Sequence, residues 1–87
     1  MSRSAFSHCD GLREISFADD LEDIGDYAFY TCPNLTDVKF PARLQWIGYR
    51  AFDDCPIKNI RYSTRAEQIL KNYFGYKWHS LEKIVLD

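Results

Sequence analysis

No apolar run in this chain approaches the roughly 20 residues that a membrane-spanning helix needs. The opening segment, Met1-Ser2-Arg3-Ser4-Ala5-Phe6, carries no apolar export core. Neither sign of charge dominates. Eleven basic residues face 13 acidic ones, for a net charge of −2, so the broad basic footprint of a nucleic-acid binder is missing. Histidine is scarce, with His8 and His79 alone. Cysteine is scarce as well, and the three present form no close pair of the Cys-x2-4-Cys kind that holds zinc. An odd count cannot close fully into intramolecular disulfides. No Gly-rich phosphate loop and no serine nucleophile elbow occurs. What is plentiful is apolar and aromatic side chains, 46% and 16% of 87 residues, which excludes a disordered chain. The length fits one domain over residues 1–87 with a thin core.

The spacing of Cys9, Cys32 and Cys55 is 23 residues twice over, and equal spacing at that length signals a repeat. Ala5-Phe6, Ala28-Phe29 and Ala51-Phe52 each precede a cysteine by the same interval. Leu12, Ile15 and Phe17 follow the first cysteine, and Leu35, Val38 and Phe40 follow the second at the same offsets. Leu21 with Ile24-Gly25 then matches Leu44 with Ile47-Gly48. The third unit is one residue shorter after Cys55, so Ile57, Ile60 and Tyr62 take those roles. A fourth set reads Leu81, Ile84 and Leu86. The units run roughly over 1–11, 12–34, 35–56 and 57–80, with a final strand over 81–87.

Ile15-Ser16-Phe17 and Val38-Lys39-Phe40 alternate apolar and polar, the period of a half-buried strand. Asp10-Gly11 and Pro33-Asn34 are turn pairs leading into them. Gly25 and Gly48 stand where the chain must bend, which predicts backbone angles that glycine tolerates. The stretch from Ala28 to Cys32 reads as one or two helical turns. No single unit can enclose its own Phe, Cys, Leu and Ile, but stacked units can. The predicted columns are Phe6-Phe29-Phe52, Cys9-Cys32-Cys55, Leu12-Leu35-Ile57-Leu81 and Ile15-Val38-Ile60-Ile84. The fourth unit departs from the rest. Thr64 and Glu67 form a capping-box pattern, and Ala66, Ile69, Leu70 and Tyr73 follow at helical spacing, with Gly75 as the stop. This predicts a helix near 65–74, with Trp78 in the cysteine slot and His79 in the loop after it. Such a unit closes the end of a stack.

The string Ile24-Gly25-Asp26-Tyr27-Ala28-Phe29-Tyr30-Thr31-Cys32-Pro33-Asn34-Leu35, repeated from Ile47-Gly48 to Cys55-Pro56, resembles the BspA-like leucine-rich repeats. The resemblance is strong over residues 5–62, and the helix, Trp78 and the strand at Ile84 resemble a terminal unit. It implies an α/β class chain: a short leucine-rich-repeat solenoid of about three to four units. One strand per unit lies on the concave side and short helical turns on the convex side. It also implies a ligand-binding or adhesion role, commonly in long cell-surface proteins.

Catalysis finds no constellation. The cysteines read as small core residues beside phenylalanines, and Ser7-His8-Cys9-Asp10 is a local string rather than a folded triad. The acidic stretch Asp19–Asp26 fails as a calcium loop, because the core residue Ile24 falls on a ligand position. No cofactor or metal is expected. The outward strand positions are the better candidates, since side chains alternate along a strand. One outward column is Glu14, Asp37, Asn59 and Lys83, running from acid to base. The next is Ser16, Lys39, Arg61 and Val85, with two cations side by side. Trp46 adds an exposed aromatic at a slot that Asp23 and Gln68 mark as solvent-facing. Tyr27, Tyr30, Tyr49 and Arg50 neighbour the turns, and these are residue types enriched at binding hot spots. The expectation is a non-catalytic module that binds a protein partner, such as a free-standing inhibitor that masks a larger protein. The alternative is the C-terminal capping stretch of a long surface adhesin. A third reading is carbohydrate binding through the exposed aromatics. As written, the chain is expected in the cytoplasm, and at the cell surface as a piece of a longer protein. No nucleic-acid or membrane partner is expected. The exposed stack ends suggest a homo-oligomer.

Overall fold

The computed structural model describes residues 2–87. The strands are β1 (Glu14–Ser16), β2 (Asp23–Ile24), β3 (Asp37–Lys39), β4 (Trp46–Ile47) and β5 (Asn59–Tyr62). Helix α1 (Glu67–Phe74) follows, and β6 (Glu82–Val85) closes the chain. One parallel sheet has the order β1-β3-β5-β6, and a second pairs β2 with β4. The register sets Ile15 beside Val38 and Val38 beside Ile60, so each coil repeats the one before it. The chain is therefore a short leucine-rich-repeat solenoid with one main-sheet strand per coil.

A third ladder joins the coils at the Ala-Phe segments. The Phe6 N–H donates to the Ala28 carbonyl at 2.7 Å, and the Phe29 N–H donates to Ala51 at 2.7 Å. His8 donates to Tyr30, and Thr31 to Asp53, each at 2.8 Å. These segments are turns, not the expected helical turns. A helix satisfies its N–H groups internally, whereas these point along the stack to the next coil. Left-handed residues recur four apart to make this possible: Ser4 and His8, Tyr27 and Thr31, Arg50 and Asp54. Each such non-glycine residue costs on the order of 1–3 kcal/mol, so the stacked coils must hold it in place.

Stacked phenylalanines form the core. Phe29 lies parallel to Phe6 at 5.3 Å and to Phe52 at 5.1 Å. Phe17 and Phe40 form a second column, set edge-on against Phe29 and Phe52 at 5.7 and 5.6 Å. Phe29 and Cys32 are fully buried. Phe6, the first ring of that column, is 40% exposed. Gly48 is required by close approach rather than by its backbone angles. Its φ lies outside the left-handed region, and an added Cβ would collide with the Asp26 backbone nitrogen.

The fourth unit differs from the sequence reading in three ways. The N-cap is Ser63, not Thr64, because a 3-10 turn over Thr64–Ala66 precedes α1 and moves the start back. The Ser63 Oγ accepts from the Arg65 N–H at 3.2 Å, and Glu67 accepts from the Tyr62 hydroxyl instead of closing a capping box. Second, His79 lies within a 3-10 turn over Gly75–Ser80, not in a loop. Third, β6 is shifted by one position. Ile60 faces Lys83, and Ile84 sits beside Arg61, 59% exposed. The bulk of Trp78, edge-on to Tyr62 at 5.5 Å, fills the interior there, so Ile84 has no core place to take. Leu81 remains buried as expected, and Gly75 ends the helix with φ 58°.

Two substitutions test this stacking. Phe29→Ala is expected to destabilise the fold by about 3–5 kcal/mol through the lost ring and the cavity left behind. Gly48→Ala adds one methyl and is expected to cost about 1–3 kcal/mol by pushing two coils apart. Chemical denaturation reads both, and a wild-type midpoint for either variant contradicts the packing described.

Candidate binding face

The concave face is built by strand alternation. Ile15, Val38 and Ile60 point to the core, so their neighbours point outward. Glu14, Asp37 and Asn59 stand in register in one row, and Ser16, Lys39 and Arg61 in the next. Six of the strand residues expected from sequence are therefore brought together. Lys83 is not among them. It takes the register position beside Ile60 yet stays exposed, with Nζ donating to the Trp78 and Leu81 carbonyls at 2.8 and 3.0 Å and lying 5.2 Å from the Trp78 ring. Glu82 takes its place beside Asn59, and Ile84, not Val85, extends the second row beside Arg61. The Leu-x-x-Ile spacing of Leu81 and Ile84 hid this shift. The signal that could have revealed it is Trp78, too large to share the interior with Ile84.

The register of β6 sets the charge of the face. The first row runs from acid to acid, with Glu14, Asp37 and Glu82 around the neutral Asn59. Lys39 is paired with Asp19 at 3.2 Å. Arg61 remains as the cation of a shallow groove of about 360 Å³ lined by Glu14, Asp37, Asn59, Arg61, Glu82 and Ile84, with Ile60 as its floor. Asp37 is the fixed point of this groove. Its Oδ1 accepts from the Thr36 hydroxyl at 2.8 Å and from the Asn59 amide at 3.2 Å. The Thr36 hydrogen bond, then that of Asn59, then the charges of Arg61 and Lys58 hold its carboxyl below the usual carboxylate range.

Trp46 is 51% exposed, as expected, but lies on β4 of the second sheet, opposite Asp23. It shares no groove with the concave rows. Tyr27, Tyr30 and Tyr49 stand edge-to-face in a chain along the turns, with Arg3 over Tyr27 and Arg50 over Tyr49. The cysteines are free thiols. Cys32 is buried, while Cys9 and Cys55 are half-buried, less enclosed than the sequence reading assigns. The Cys32 thiol donates back to the Phe6 carbonyl at 3.1 Å, and the Cys55 thiol to Phe29 at 2.8 Å. Burial pushes both thiols up, Cys55 to about 12. At neutral pH they are hydrogen-bond donors, not nucleophiles.

The thiols and Asp37 each yield an expected outcome. With a thiol reagent on the native protein, Cys32 is expected to be protected until global unfolding, and rapid labelling of Cys32 contradicts the core placement. For Asp37, the folded pKa lies below the unfolded value of about 3.9. Its contribution to stability is therefore present above that value and is lost as pH falls through the folded pKa. A carbon-detected titration is expected to place the Asp37 midpoint below about 3.9, and Thr36→Val to raise it more than Asn59→Ala does. An unchanged midpoint in Thr36→Val would remove Thr36 as the principal cause.

The family model described as BspA type Leucine rich repeat region (6 copies) matches residues 1–87. Among solved structures, a leucine-rich repeat protein from Bacteroides ovatus ATCC 8483 is similar, with a TM-score of 0.71 and 28% identity. The alignment covers 97% of this chain and 21% of that one, so the chain spans about a fifth of that protein's length. No curated protein matches. A repeat profile that runs the whole length, on coils that stack as such repeats do, settles the lineage: this chain belongs to the BspA type leucine-rich repeat family.

Proposed function

We propose that the chain is a non-catalytic scaffold that binds a protein through the concave face of β1, β3, β5 and β6, and that the partner presents a basic segment there. The observation that carries this reading is the acidic row. Glu14 and Asp37 stand on neighbouring strands about 4.8 Å apart and Glu82 two strands beyond Asp37, and Asp37 is already oriented by Thr36 and Asn59. Lys39, two residues from Asp37 on β3, is engaged by Asp19. A basic partner segment would find carboxylates on three of the four strands, with Asn59 between Asp37 and Glu82, and with Arg61 setting its register by repulsion and by pairing with any acid it carries. Ile84 adds an apolar contact at the rim. Nothing in this reading needs chemistry at a thiol or at His8, whose ring packs edge-on against Tyr30. The face serves equally a free-standing inhibitor that masks a larger protein and one stretch of a longer cell-surface array, because it needs only these four strands.

Such contacts act mainly on association rate and specificity, and they weaken as salt rises. Immobilised arginine-rich and glutamate-rich peptides of equal length provide the test. The protein is expected to bind the basic peptide, with affinity falling between low and physiological salt. The double reversal Glu14→Lys/Glu82→Lys is expected to weaken binding by about tenfold or more with little change in melting temperature, since both side chains are exposed. Equal binding of both peptides, or wild-type affinity in the double variant, would move the site off the concave face.

A further inference from the structure

The groove between β4 and α1 has a different chemistry. It measures about 320 Å³ and is lined by Gln45, Trp46, Ile47, Ile69, Asn72 and Tyr73. None of the six is charged, in a chain where 28% of residues are. The groove exists because a helix stands where the next coil would have laid a strand on β4. Strands pair about 4.8 Å apart, whereas a helix with its side chains is about 10 Å across, so α1 cannot close onto that edge. In the coil before, the Trp46 position holds Asp23. A large ring at a charged slot, facing an uncharged wall, is not demanded by the core.

The polar groups around the ring are placed for a ligand with both donors and acceptors. The Asn72 Oδ1 accepts from the Gln68 Nε2 at 3.0 Å, so the group Asn72 brings to a ligand is its Nδ2 donor. The Gln45 Nε2 leans on the Arg43 carbonyl at 3.4 Å, which leaves its Oε1 to accept. Tyr73 offers only its ring, since its hydroxyl is turned inward to the Phe52 N–H at 2.7 Å. We propose that this groove binds a neutral pyranose residue of a polysaccharide, with its C–H face stacked on Trp46 and its hydroxyls on Gln45 and Asn72. A charged ligand finds no counter-charge among the lining residues, and a purely apolar one would strand the two amides. A polyproline segment has no backbone N–H to satisfy Gln45, and it docks between several aromatic walls where this groove offers one exposed ring. The volume lies at the small end of ligand clefts and suits one or two sugar rings.

The site is separate from the concave face and does not rest on that reading. The test uses amide and indole proton–nitrogen spectra with cellohexaose, maltohexaose, xylohexaose and mannohexaose added in turn at millimolar concentration. At least one sugar is expected to move the Trp46 indole and the Asn72 side-chain amide saturably. The indole of Trp78, only 7% exposed, should stay still. Trp46→Ala is expected to weaken that response by about tenfold or more, and Trp46→Phe to keep most of it, because a ring remains to stack. No saturable shift with any of the four sugars overturns the proposal. So does an unchanged response in Trp46→Ala, or a response to decaproline without one to sugars. Peptide binding at Glu14 and Glu82 is read separately, so the failure of one site is distinguishable from the failure of the other.

Discussion

The rest of the structure depends on one contact, repeated coil after coil: the N–H of a phenylalanine donated to the alanine carbonyl of the next coil, with the two rings stacked beside it. Phe6 and Phe29 both make it, with ring separations of 5.3 and 5.1 Å to the ring above. The cysteine thiol closes the return path, donating from Cys32 to the Phe6 carbonyl and from Cys55 to Phe29. Each Phe peptide is thus bound on both sides, and a buried unpaired backbone group would cost about 1–3 kcal/mol. This explains why cysteine recurs at a slot that alanine or serine fits by size. A thiol is apolar enough to sit in the core and still supplies a weak donor. It also explains how the left-handed residues at Tyr27, Thr31, Arg50 and Asp54 are tolerated in every coil.

The same contact changes partner at α1. Phe52 is the third phenylalanine of the column, and its N–H meets no alanine carbonyl. The Tyr73 hydroxyl accepts it at 2.7 Å, delivered from α1, and burial pushes that hydroxyl up to about 12. The helix therefore satisfies the last rung with a side chain where the coils use backbone. The cost of the substitution is geometric. A helix turns its own N–H groups inward and cannot continue the β2–β4 ladder. Closing the phenylalanine column and opening a groove beside Trp46 are thus one event.

Legibility in the sequence followed the same divide. Where coils repeat, spacing identifies the strands and outward rows of the main sheet, because a residue one unit on meets the same neighbours; the short β2–β4 pair at Asp23–Ile24 and Trp46–Ile47 goes unread, since two residues are too few to show alternation. Glu14, Ser16, Asp37, Lys39, Asn59 and Arg61 all lie where alternation placed them. Where repetition stops, spacing misled. Lys83 and Ile84 were exchanged because their facing is set by the volume of Trp78, a tertiary fact that no interval encodes. The turns were misread as helical because left-handed residues at Tyr27 and Arg50 have no local sequence mark such as glycine. The electrostatics of the face were also hidden. That Asp19 engages Lys39 across 20 positions depends on how the chain leaves one coil and enters the next.

The end of the chain carries the last structural consequence. The Asp87 carboxylate accepts from the Thr64 N–H at 2.9 Å and the Ser63 hydroxyl at 2.8 Å. It thereby supplies the 3-10 turn ahead of α1 with an acceptor for a free N–H, which a helix start always lacks. These hydrogen bonds, the Thr64 N–H first, hold the carboxyl below its usual range. Because β6 is shifted by one position relative to the repeat, the residue that reaches this turn is Asp87 rather than Leu86. Leu86 instead makes the backbone bond to the Tyr62 carbonyl at 2.8 Å. The shift that set Lys83 beside Ile60 is thus the shift that anchors α1. The helix that shapes the Trp46 groove and the acidic row that ends at Glu82 share one origin in the register of the final strand.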